Sequence, residues 1–347
     1  MSLGHLLRNE IARKERENLK KIVNPAEIKD VLYLPSGRVF IQQTNDGYII
    51  ESTEMRDVAV DGKLHIEVRE TQDPQKVWKH LVPYKEKWLL TVSTQKGCAH
   101  HCKFCDVAPL PFKGNLTQEE IVGQIRNLLI CSPYVTESNK VKIGFARMGE
   151  PAWNIDNVLG AIKMLPEIST ELGRNFKWLP CFNSILPRQA NVLERVINFK
   201  ETVCNGMLHL QVSCNSTDEK QRQILFGGVN SDVLTLDEVI SIVNKKRITK
   251  RTVTLNFIVM EGIEVSVDKL RKMGLNGDKF TVKLIPLNKT NNAENNTLKT
   301  VANYSNYDKL VDLGNTFKKN GIPVVVDAIA KCEEAGLCCG QLAQIYL

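Results

Sequence analysis

Residues 98–105 read Cys-Ala-His-His-Cys-Lys-Phe-Cys, and this segment places three cysteines in a C-x3-C-x2-C spacing. The apolar run at residues 89–94, just before them, predicts a β-strand. The cysteines therefore fall on the loop that follows the carboxyl end of a strand. Thiolates are the ligands that iron–sulfur clusters need, so the spacing indicates a metal cluster rather than a disulfide.

Three thiolates, Cys98, Cys102 and Cys105, leave one iron of a 4Fe-4S cluster without a protein ligand. That iron can chelate the amino and carboxylate groups of S-adenosylmethionine (SAM) and pass an electron to its sulfonium. Phe104 lies next to the third cysteine, where its ring can pack against the adenosyl group. The alternative is a zinc knuckle, for which a neighbouring histidine would supply the fourth ligand. We expect His100 and His101 to be solvent-facing loop residues.

Downstream of residue 88 the pattern alternates between strand and helix, which predicts an α/β fold with a barrel or an open parallel sheet. Two capping boxes, Thr117 with Glu120 and Thr235 with Glu238, predict helix starts. Chemistry collects at the carboxyl ends of parallel strands. Several polar residues are predicted at those ends besides the cysteines: Gly149, Glu150, Asn183, Ser213, Asn215 and Asn288.

Three regions differ in character. Residues 1–27 alternate basic and acidic side chains, which indicates a basic helix that is either simply solvated or a partner-binding arm. Residues 28–87 contain short apolar runs, among them 39–41, 48–50 and 64–66, separated by Asp-Gly turns, and we expect a small β-rich attachment. Residues 88–347 form the predicted core. The Asn-rich stretch 289–300 is predicted to be a mobile loop.

The composition fits an ordinary globular chain of 347 residues, with 43% hydrophobic and 24% charged residues. No apolar run approaches the roughly 18 residues of a membrane span, and the first 22 residues are too charged for a signal peptide. We therefore expect a cytoplasmic protein without a membrane partner, in which ten cysteines serve metal binding or catalysis. A formal charge of +7 permits an anionic partner without requiring one.

Several segments together resemble the RlmN/Cfr family of radical SAM methylases, which modify RNA adenosine. The resemblance covers about residues 78–343 and implies a partial (β/α)6 barrel of the radical SAM type. It is carried, in chain order, by residues 92–105, 112–124, Met148-Gly-Glu-Pro151 with Asn154, Val212-Ser-Cys-Asn215, Leu284-Ile-Pro-Leu-Asn288 and Cys339-Gly-Gln-Leu-Ala343.

The resemblance also implies roles. Cys98, Cys102 and Cys105 would hold the 4Fe-4S cluster, and Cys339 would be the methyl-accepting cysteine. The implied SAM-binding residues are Phe104, Gly149, Glu150, Asn183, Ser213, Asn215 and Asn288. The implied partners are an RNA substrate (rRNA or tRNA) and a reducing electron donor such as flavodoxin or ferredoxin.

The family methylates an electron-poor carbon, where direct SN2 methylation fails. A cysteine thiolate first takes the methyl group from one SAM, because thiolates are good nucleophiles. A radical made from a second SAM then activates that methyl group for addition to the base. A resolving cysteine finally frees the product by forming a disulfide.

This chain departs from the family at two positions. The resolving cysteine falls on Thr91, and the acid/base glutamate falls on Trp78, with Glu70 further upstream. Other thiols that could resolve the adduct, or be small buried hydrophobes, are Cys181, Cys214, Cys332 and Cys338. A second hypothesis is therefore a radical SAM enzyme without the full relay, acting on another nucleotide, a metabolite or a peptide. A third is a non-catalytic iron–sulfur or zinc protein.

Overall fold

A computed structural model describes residues 26–34, 36–57, 82–189, 191–228, 232–302, 307–326 and 338–346. The predicted helix over residues 1–27 lies outside this part of the chain apart from its last two residues, which begin a strand. The predicted run at residues 64–66 lies outside the described residues as well. Within the described ranges the strands are β1 Ala26–Leu34, β2 Gly37–Thr44, β3 Ile49–Arg56, β4 Trp88–Thr91, β5 Gln95–Lys96, β6 Gly114–Asn115, β7 Glu137–Gly144, β8 Asn175–Ser184, β9 His209–Ser213, β10 Val253–Val259, β11 Phe280–Pro286 and β12 Val324–Val326.

Ten of the described strands form one mixed sheet, in the order β1, β2, β3, β4, β7, β8, β9, β10, β11, β12. Every pair of neighbours from β4 to β12 is parallel. The two short strands β5 and β6 pair separately, next to the cysteine loop. A parallel sheet is normally buried on both faces, which explains the near-continuous apolar runs in the sequence.

Helices follow the parallel strands and give six strand–helix units in the described part of the chain. The sheet is open there, with β1 and β12 at its edges. The predicted α/β fold with a mostly parallel sheet is confirmed. The helices are α1 Gln118–Ile130, α2 Ile155–Glu171, α3 Val192–Thr202, α4 Glu219–Leu225, α5 Leu236–Lys245, α6 Val267–Lys272, α7 Asn291–Asn295, α8 Asp308–Lys319 and α9 Ala343–Tyr346, with a short 3-10 helix at Pro151–Asn154.

The antiparallel strands β1 to β3 extend the main sheet. β3 pairs with β4 so that Thr53 lies opposite Thr91. Phe40, Ile50 and Trp88 are fully or almost fully buried in the same hydrophobic core. The strands predicted at residues 39–41 and 48–50 are therefore present, while the domain division at residue 87 stays a prediction.

Local sequence fixes the helix starts. Both predicted capping boxes form: the Thr117 hydroxyl accepts from the Glu120 amide, and Thr235 accepts from Glu238 in the same way. Each satisfies backbone donors that the first helical turn leaves unpaired. No helix within the described ranges has both the length and the apolar character to cross a bilayer.

Candidate active site

The cysteine loop begins after β5, at a glycine that the geometry requires. Gly97 has a φ of +77°, and a Cβ there would lie 2.4 Å from the carbonyl oxygen of Pro111. Only glycine adopts such a conformation without strain at so close an approach. Cys102 is buried, while Cys98 and Cys105 are half-buried.

The three cysteine sulfurs are near neighbours. Burial raises the pKa of the Cys98 thiol to about 12. Burial, together with Cys105 and Cys98, raises the pKa of Cys102 well above its ordinary value. Burial and Cys98 also raise the pKa of Cys105, and Cys339 adds to that effect. Without metal the thiols are therefore protonated, and a metal that binds them must displace those protons.

Among the described residues, no three His, Cys, Asp or Glu side chains converge as they would around one metal ion. A cluster does not require that convergence, because each thiolate binds a different iron. The donor set of three neighbouring thiols on one loop fits three corners of a 4Fe-4S cluster.

The two histidines of the cysteine loop, His100 and His101, have different surroundings. The Trp153 indole N–H donates to His100 Nε2 at 2.7 Å, so that nitrogen carries no proton. Burial, with His101 nearby, lowers the pKa of His100 to about 4. The prediction that His100 faces solvent is therefore confirmed only in part, since the residue is half-buried and its ring bonds to Trp153. His101 is exposed, as predicted.

The Asn-rich stretch folds onto the cysteine loop. Asn292 Nδ2 donates to the carbonyl oxygens of Cys102 and Cys105, at 2.9 and 3.0 Å. Asp106, buried in the loop, accepts from the backbone amides of Asn291 and Asn292. The prediction of a mobile loop at residues 289–300 is wrong over α7, because these amide contacts tie the helix to the loop.

Glu150 lies on the segment after β7, directly before the short 3-10 helix, and its amide bonds to Gln95 just before the cysteine loop. Gly149 before it has a φ of +97°, and a Cβ there would lie 2.5 Å from Cβ of Gln95. The buried Glu150 carboxylate accepts from the Ser184 hydroxyl at 2.5 Å and from the amides of Ala152 and Ile185. Burial raises its pKa to about 7, although these hydrogen bonds lower it. A carboxylate has about four acceptor sites, so one remains for an amino group.

Polar residues gather at the ends of β8 and β9 and in the middle of the neighbouring strand β10. Asn183 and Ser213 are half-buried. Asn215 is buried with a φ of +60°, and its Oδ1 accepts from the Ile258 amide. The Asn215 Nδ2 and the Asn256 Oδ1 are buried and have no hydrogen-bond partner among the described residues. Buried polar atoms are normally paired, so these two point to a ligand that pairs them.

Two polar residues of this group, Asn256 and Ser184, were not predicted from the sequence. Asn256 interrupts the apolar run of β10 and lies in register with Ser213, so the interruption itself was a signal. Ser184 directly follows Asn183 on β8, and its hydroxyl donates to the Glu150 carboxylate. Phe104 and Asn288 are half-buried on the loops after β4 and β11. The Phe104 ring packs edge-on against Phe226, with centroids 6.3 Å apart.

Cys339 is held beside the loop by a buried ion pair that joins three distant parts of the chain. Glu51, on β3, is fully buried and pairs with Arg147 at 2.8 Å. Arg147 Nη1 donates to the Cys339 sulfur at 3.7 Å, and its Nη2 donates to the Cys338 carbonyl at 3.4 Å. Glu51 also accepts from the amide of Gly340, at 3.1 Å.

Glu51 accepts one more bond from this segment, from the Ala343 amide at 2.7 Å. Burial alone would lower the pKa of Arg147, but Glu51, Cys339 and Cys338 raise it, so the guanidinium stays charged. A cation beside a sulfur favours the thiolate, which is the nucleophilic form. Sequence reasoning missed both Glu51, which directly follows an apolar run, and Arg147, which lies inside one.

The structure describes some of the positions at which this chain departs from the family. Thr91 Oγ1 lies 2.5 Å from Thr53 Oγ1, so a hydroxyl pair stands where a resolving thiol is expected. Cys181 and Cys214 are buried, and their sulfurs contact backbone carbonyl oxygens two residues earlier, as small buried side chains do. Cys338 is buried next to Cys339. Glu70, Trp78 and Cys332 lie outside the described residues.

No family model matches the chain. It is 26% identical over 288 residues to the probable dual-specificity RNA methyltransferase RlmN of Aquifex aeolicus, covering 80% of this chain and 71% of that protein. It is 31% identical over 225 residues to the dual-specificity RNA methyltransferase RlmN of Desulfosudis oleivorans, covering 63% of this chain and 56% of that protein.

A solved structure, a radical SAM methyltransferase from Sphaerobacter thermophilus, superposes with a TM-score of 0.63. The identity is 19%, and the match covers 97% of this chain and 84% of that one, so the two share a fold. The resemblance to the RlmN proteins is confirmed, and the chain is a divergent relative of them. Some of the matches span little more than half of the relatives' own length.

Proposed function

We propose that the protein is a radical SAM methylase that modifies an electron-poor carbon of an RNA adenosine through a methyl group carried on Cys339. The observation that supports the proposal is the position of Cys339, whose sulfur contacts Arg147 and whose neighbour Gly340 packs against Val107, two residues after Cys105. The names of the RlmN relatives support an RNA substrate. The net charge of +7 is compatible with a polyanion.

The site residues divide into two groups. Cys98, Cys102 and Cys105 would hold a 4Fe-4S cluster, and Glu150 would accept from the SAM amino group through its remaining acceptor site. The described polar atoms that lack partners, on Asn215 and Asn256, are suited to pair with the same ligand. Phe104, Gly149, Asn183, Ser213 and Asn288 complete the proposed SAM site. When bound, the cluster and SAM supply the one-electron cleavage that makes a carbon radical.

The chain's own contribution is to hold and activate the carrier sulfur. Arg147 places a positive charge beside the Cys339 sulfur, and its ion pair with Glu51 orients the guanidinium. The backbone amides of Gly340 and Ala343 fix the segment on Glu51, so the sulfur has little freedom. Holding a reacting group in position lowers the activation barrier of the reaction. A reducing protein such as flavodoxin or ferredoxin would supply the electron.

Methyl-labelled SAM and total cellular RNA test the proposal. The reconstituted protein is incubated anaerobically with reduced flavodoxin or dithionite as the electron source, and the RNA is digested and analysed for labelled nucleosides. We expect label in an adenosine derivative and, in parallel, one methyl group on Cys339 by peptide mass spectrometry. Cys339→Ala should abolish both signals yet still produce 5′-deoxyadenosine, whereas the matched variant Cys204→Ala should retain all three. Labelled RNA from Cys339→Ala would overturn the carrier role.

One observation favours a second candidate, a radical SAM enzyme with a different substrate and no complete relay. Thr91 pairs with Thr53 and cannot form a disulfide. In this case SAM cleavage would proceed without any methyl group on Cys339. The same labelling experiment separates the two, because the second candidate gives 5′-deoxyadenosine and unlabelled RNA.

A further inference from the structure

A run of cations lies between α5 and β10, at the opposite edge of the sheet from the cysteine loop. Residues 245–251 read Lys-Lys-Arg-Ile-Thr-Lys-Arg, so five of these seven side chains are positive. This basic segment ends just before β10, whereas the cysteine loop lies beyond the carboxyl end of β4. Parallel strands begin at one edge of a sheet and end at the other, so the length of β10, about 20 Å, separates the two.

The basic segment accounts for most of the net charge of the chain. The formal charge is +7, and without these five cations the rest of the chain would be close to neutral. Lys245, Arg247 and Lys250 are exposed, whereas Lys246 and Arg251 are half-buried. A concentration of one sign of charge on one surface is the electrostatic signature of a polyanion-binding face.

Acidic side chains do not neutralise the exposed cations. Within the described ranges, no carboxylate forms an ion pair with Lys245, Arg247 or Lys250. Glu201 contacts the segment, since its carboxylate accepts from the Thr249 amide at 3.2 Å. The same carboxylate pairs with Lys200 at 2.5 Å, so its charge is already balanced by a cation outside the segment.

The backbone of the basic segment is held in place at two points. Lys279 Nζ donates to the carbonyl oxygens of Asn244 and Lys246, at 2.5 and 2.7 Å. Lys200 Nζ donates to the carbonyl oxygen of Thr249 at 2.8 Å. The exposed cations therefore project from a fixed frame, which reduces the entropy lost when a partner binds them.

Helix stability alone does not explain the segment. A cation near the carboxyl end of a helix interacts favourably with the helix dipole, and Lys245 is the last residue of α5. That effect is confined to the last turn, so it does not extend to Lys250. Lys250 has a φ of +55°, a conformation that lysine rarely adopts. A lysine there lowers stability without an ion pair to offset it in the described part of the chain.

We propose that the basic segment is a docking surface for the phosphate backbone of a folded RNA, with Lys245, Arg247 and Lys250 contacting its phosphates. Contacts to phosphates fix the position of a nucleic acid without reading its sequence. The segment would therefore hold the body of an RNA whose target base lies at the cysteine loop. This proposal rests on the RNA substrate proposed above and adds a second point of contact to it.

An acidic protein is the other macromolecule that such a surface fits, and an electron donor is one example. An electron donor must bring its redox centre close to the cluster, whereas the basic segment lies at the far edge of the sheet from the cysteine loop. A folded RNA carries negative charge along its whole length and can reach both edges. The position of the segment therefore favours RNA.

Salt-dependent binding of bulk transfer RNA tests the docking surface. The variant that combines Lys245→Gln, Arg247→Gln and Lys250→Gln should bind this RNA about tenfold more weakly than the wild type at low salt. Each phosphate contact contributes about 0.7 to 0.9 to the slope of log affinity against log salt, so the slope should fall by about 2. An unchanged slope and affinity would overturn the proposal.

A matched control removes the same charge from other positions. It combines Lys163→Gln, Lys309→Gln and Lys318→Gln, which are exposed lysines on α2 and α8. The control should keep a slope near that of the wild type. Equal losses in the two triple variants would mean that RNA responds only to net charge, and they would overturn the proposal.

A charge-retaining variant keeps the test decisive if the glutamine variant folds poorly. Lys245→Arg, Arg247→Lys and Lys250→Arg together should bind transfer RNA like the wild type, because the charges remain. A loss of binding in this variant would contradict an electrostatic surface. An adenosine trinucleotide, which is too short to reach from the cysteine loop to the basic segment, should bind all the variants equally.

Two activity measurements separate this surface from the proposed reaction and from an acidic protein partner. With dithionite as the reductant, a wild type that labels RNA as well as the glutamine variant does would overturn the surface and leave the reaction standing. A wild type that labels no RNA, yet binds it more tightly than that variant, would do the reverse. Loss of flavodoxin-driven SAM cleavage with unchanged RNA binding would identify an acidic protein as the occupant and overturn the proposal.

Discussion

The guanidinium of Arg147 lies 3.7 Å from the sulfur of Cys339, although 192 residues separate them in the chain. The same guanidinium is neutralised on its other side by Glu51. The contact predicts how methyl transfer to the sulfur depends on pH.

Arg147→Met should lower the rate at which Cys339 accepts a methyl group by about tenfold at neutral pH. Without the cation, a smaller fraction of the sulfur is thiolate at a given pH. The rate in the variant should therefore climb steeply as the pH is raised. Arg147→Lys, which keeps the charge, should stay closer to the wild type. Labelled SAM and peptide mass spectrometry measure the rate, and a parallel pH profile for all three proteins would contradict the role.

Glu51→Gln should release the segment that carries Cys339. The change breaks a buried ion pair and should lower the free energy of unfolding by about 3 kcal/mol. Hydrogen exchange at the Gly340 and Ala343 amides should accelerate as well, because both bond to Glu51.

Glu54→Gln is the matched control for that variant. Glu54 is on the same strand and forms a buried ion pair with Arg38, away from the carrier segment. Glu54→Gln should lower the free energy of unfolding by a similar amount. Hydrogen exchange at the Gly340 amide should not accelerate. Similar exchange in the two variants would mean that Glu51 supports the sheet rather than the segment.

Asn292→Ala should loosen the cysteine loop. The change removes two hydrogen bonds to the Cys102 and Cys105 carbonyls, each worth about 1 kcal/mol. We expect a chelator to extract iron from the loaded protein roughly tenfold faster, followed by the loss of visible absorbance. Asn295→Ala, at an exposed position of the same helix, should behave like the wild type. Equal iron loss from both would remove the loop-bracing role.

Glu150 should make the metal-free protein less stable as the pH rises. Its pKa is raised to about 7 by burial, whereas an unfolded chain has a glutamate pKa near 4.3. Between these values the folded state holds a proton that the unfolded state has lost, so stability falls as the pH rises from about 5 to 7. Urea unfolding at several pH values should show a relative change of about 3 kcal/mol against Glu150→Gln. Parallel curves of stability against pH for the wild type and Glu150→Gln would contradict this prediction.

Thr91→Cys should fold normally. The side chain is half-buried, and the change removes one hydroxyl contact with Thr53, which is worth about 1 kcal/mol. Thermal unfolding measures the difference, with Thr53→Val as the control that removes the same contact from the other side. A loss well beyond that of Thr53→Val would show that the position cannot hold a thiol.

Local signals in the sequence predicted local structure well. The capping boxes at Thr117 and Thr235 formed because their partners lie three residues away. The polar residues at strand ends were placed correctly because parallel strands align their carboxyl ends. The residues that position Cys339 could not be predicted in this way. Glu51 and Arg147 become partners only when β3 and the loop after β7 meet on either side of β4, and no spacing in the sequence encodes that contact.

The same limit explains two local differences from the predictions. His100 was expected to face solvent because Trp153, whose indole bonds to its ring, is 53 residues away in the chain. The segment containing Asn292 appeared unstructured because its composition is polar. Its amide side chain instead binds carbonyl groups of a loop about 190 residues earlier.

The contacts that link Glu51 to the segment carrying Cys339 have a consequence for biosynthesis. On the ribosome, β3 emerges early, whereas the residues that cap Glu51 are made after the last described strand of the sheet. Until Gly340 and Ala343 arrive, the carboxylate lacks two of its hydrogen bonds. The contacts that hold the segment carrying Cys339 can therefore form only after the described strands of the sheet have been made, because Glu51 and Arg147 both precede that segment in the chain.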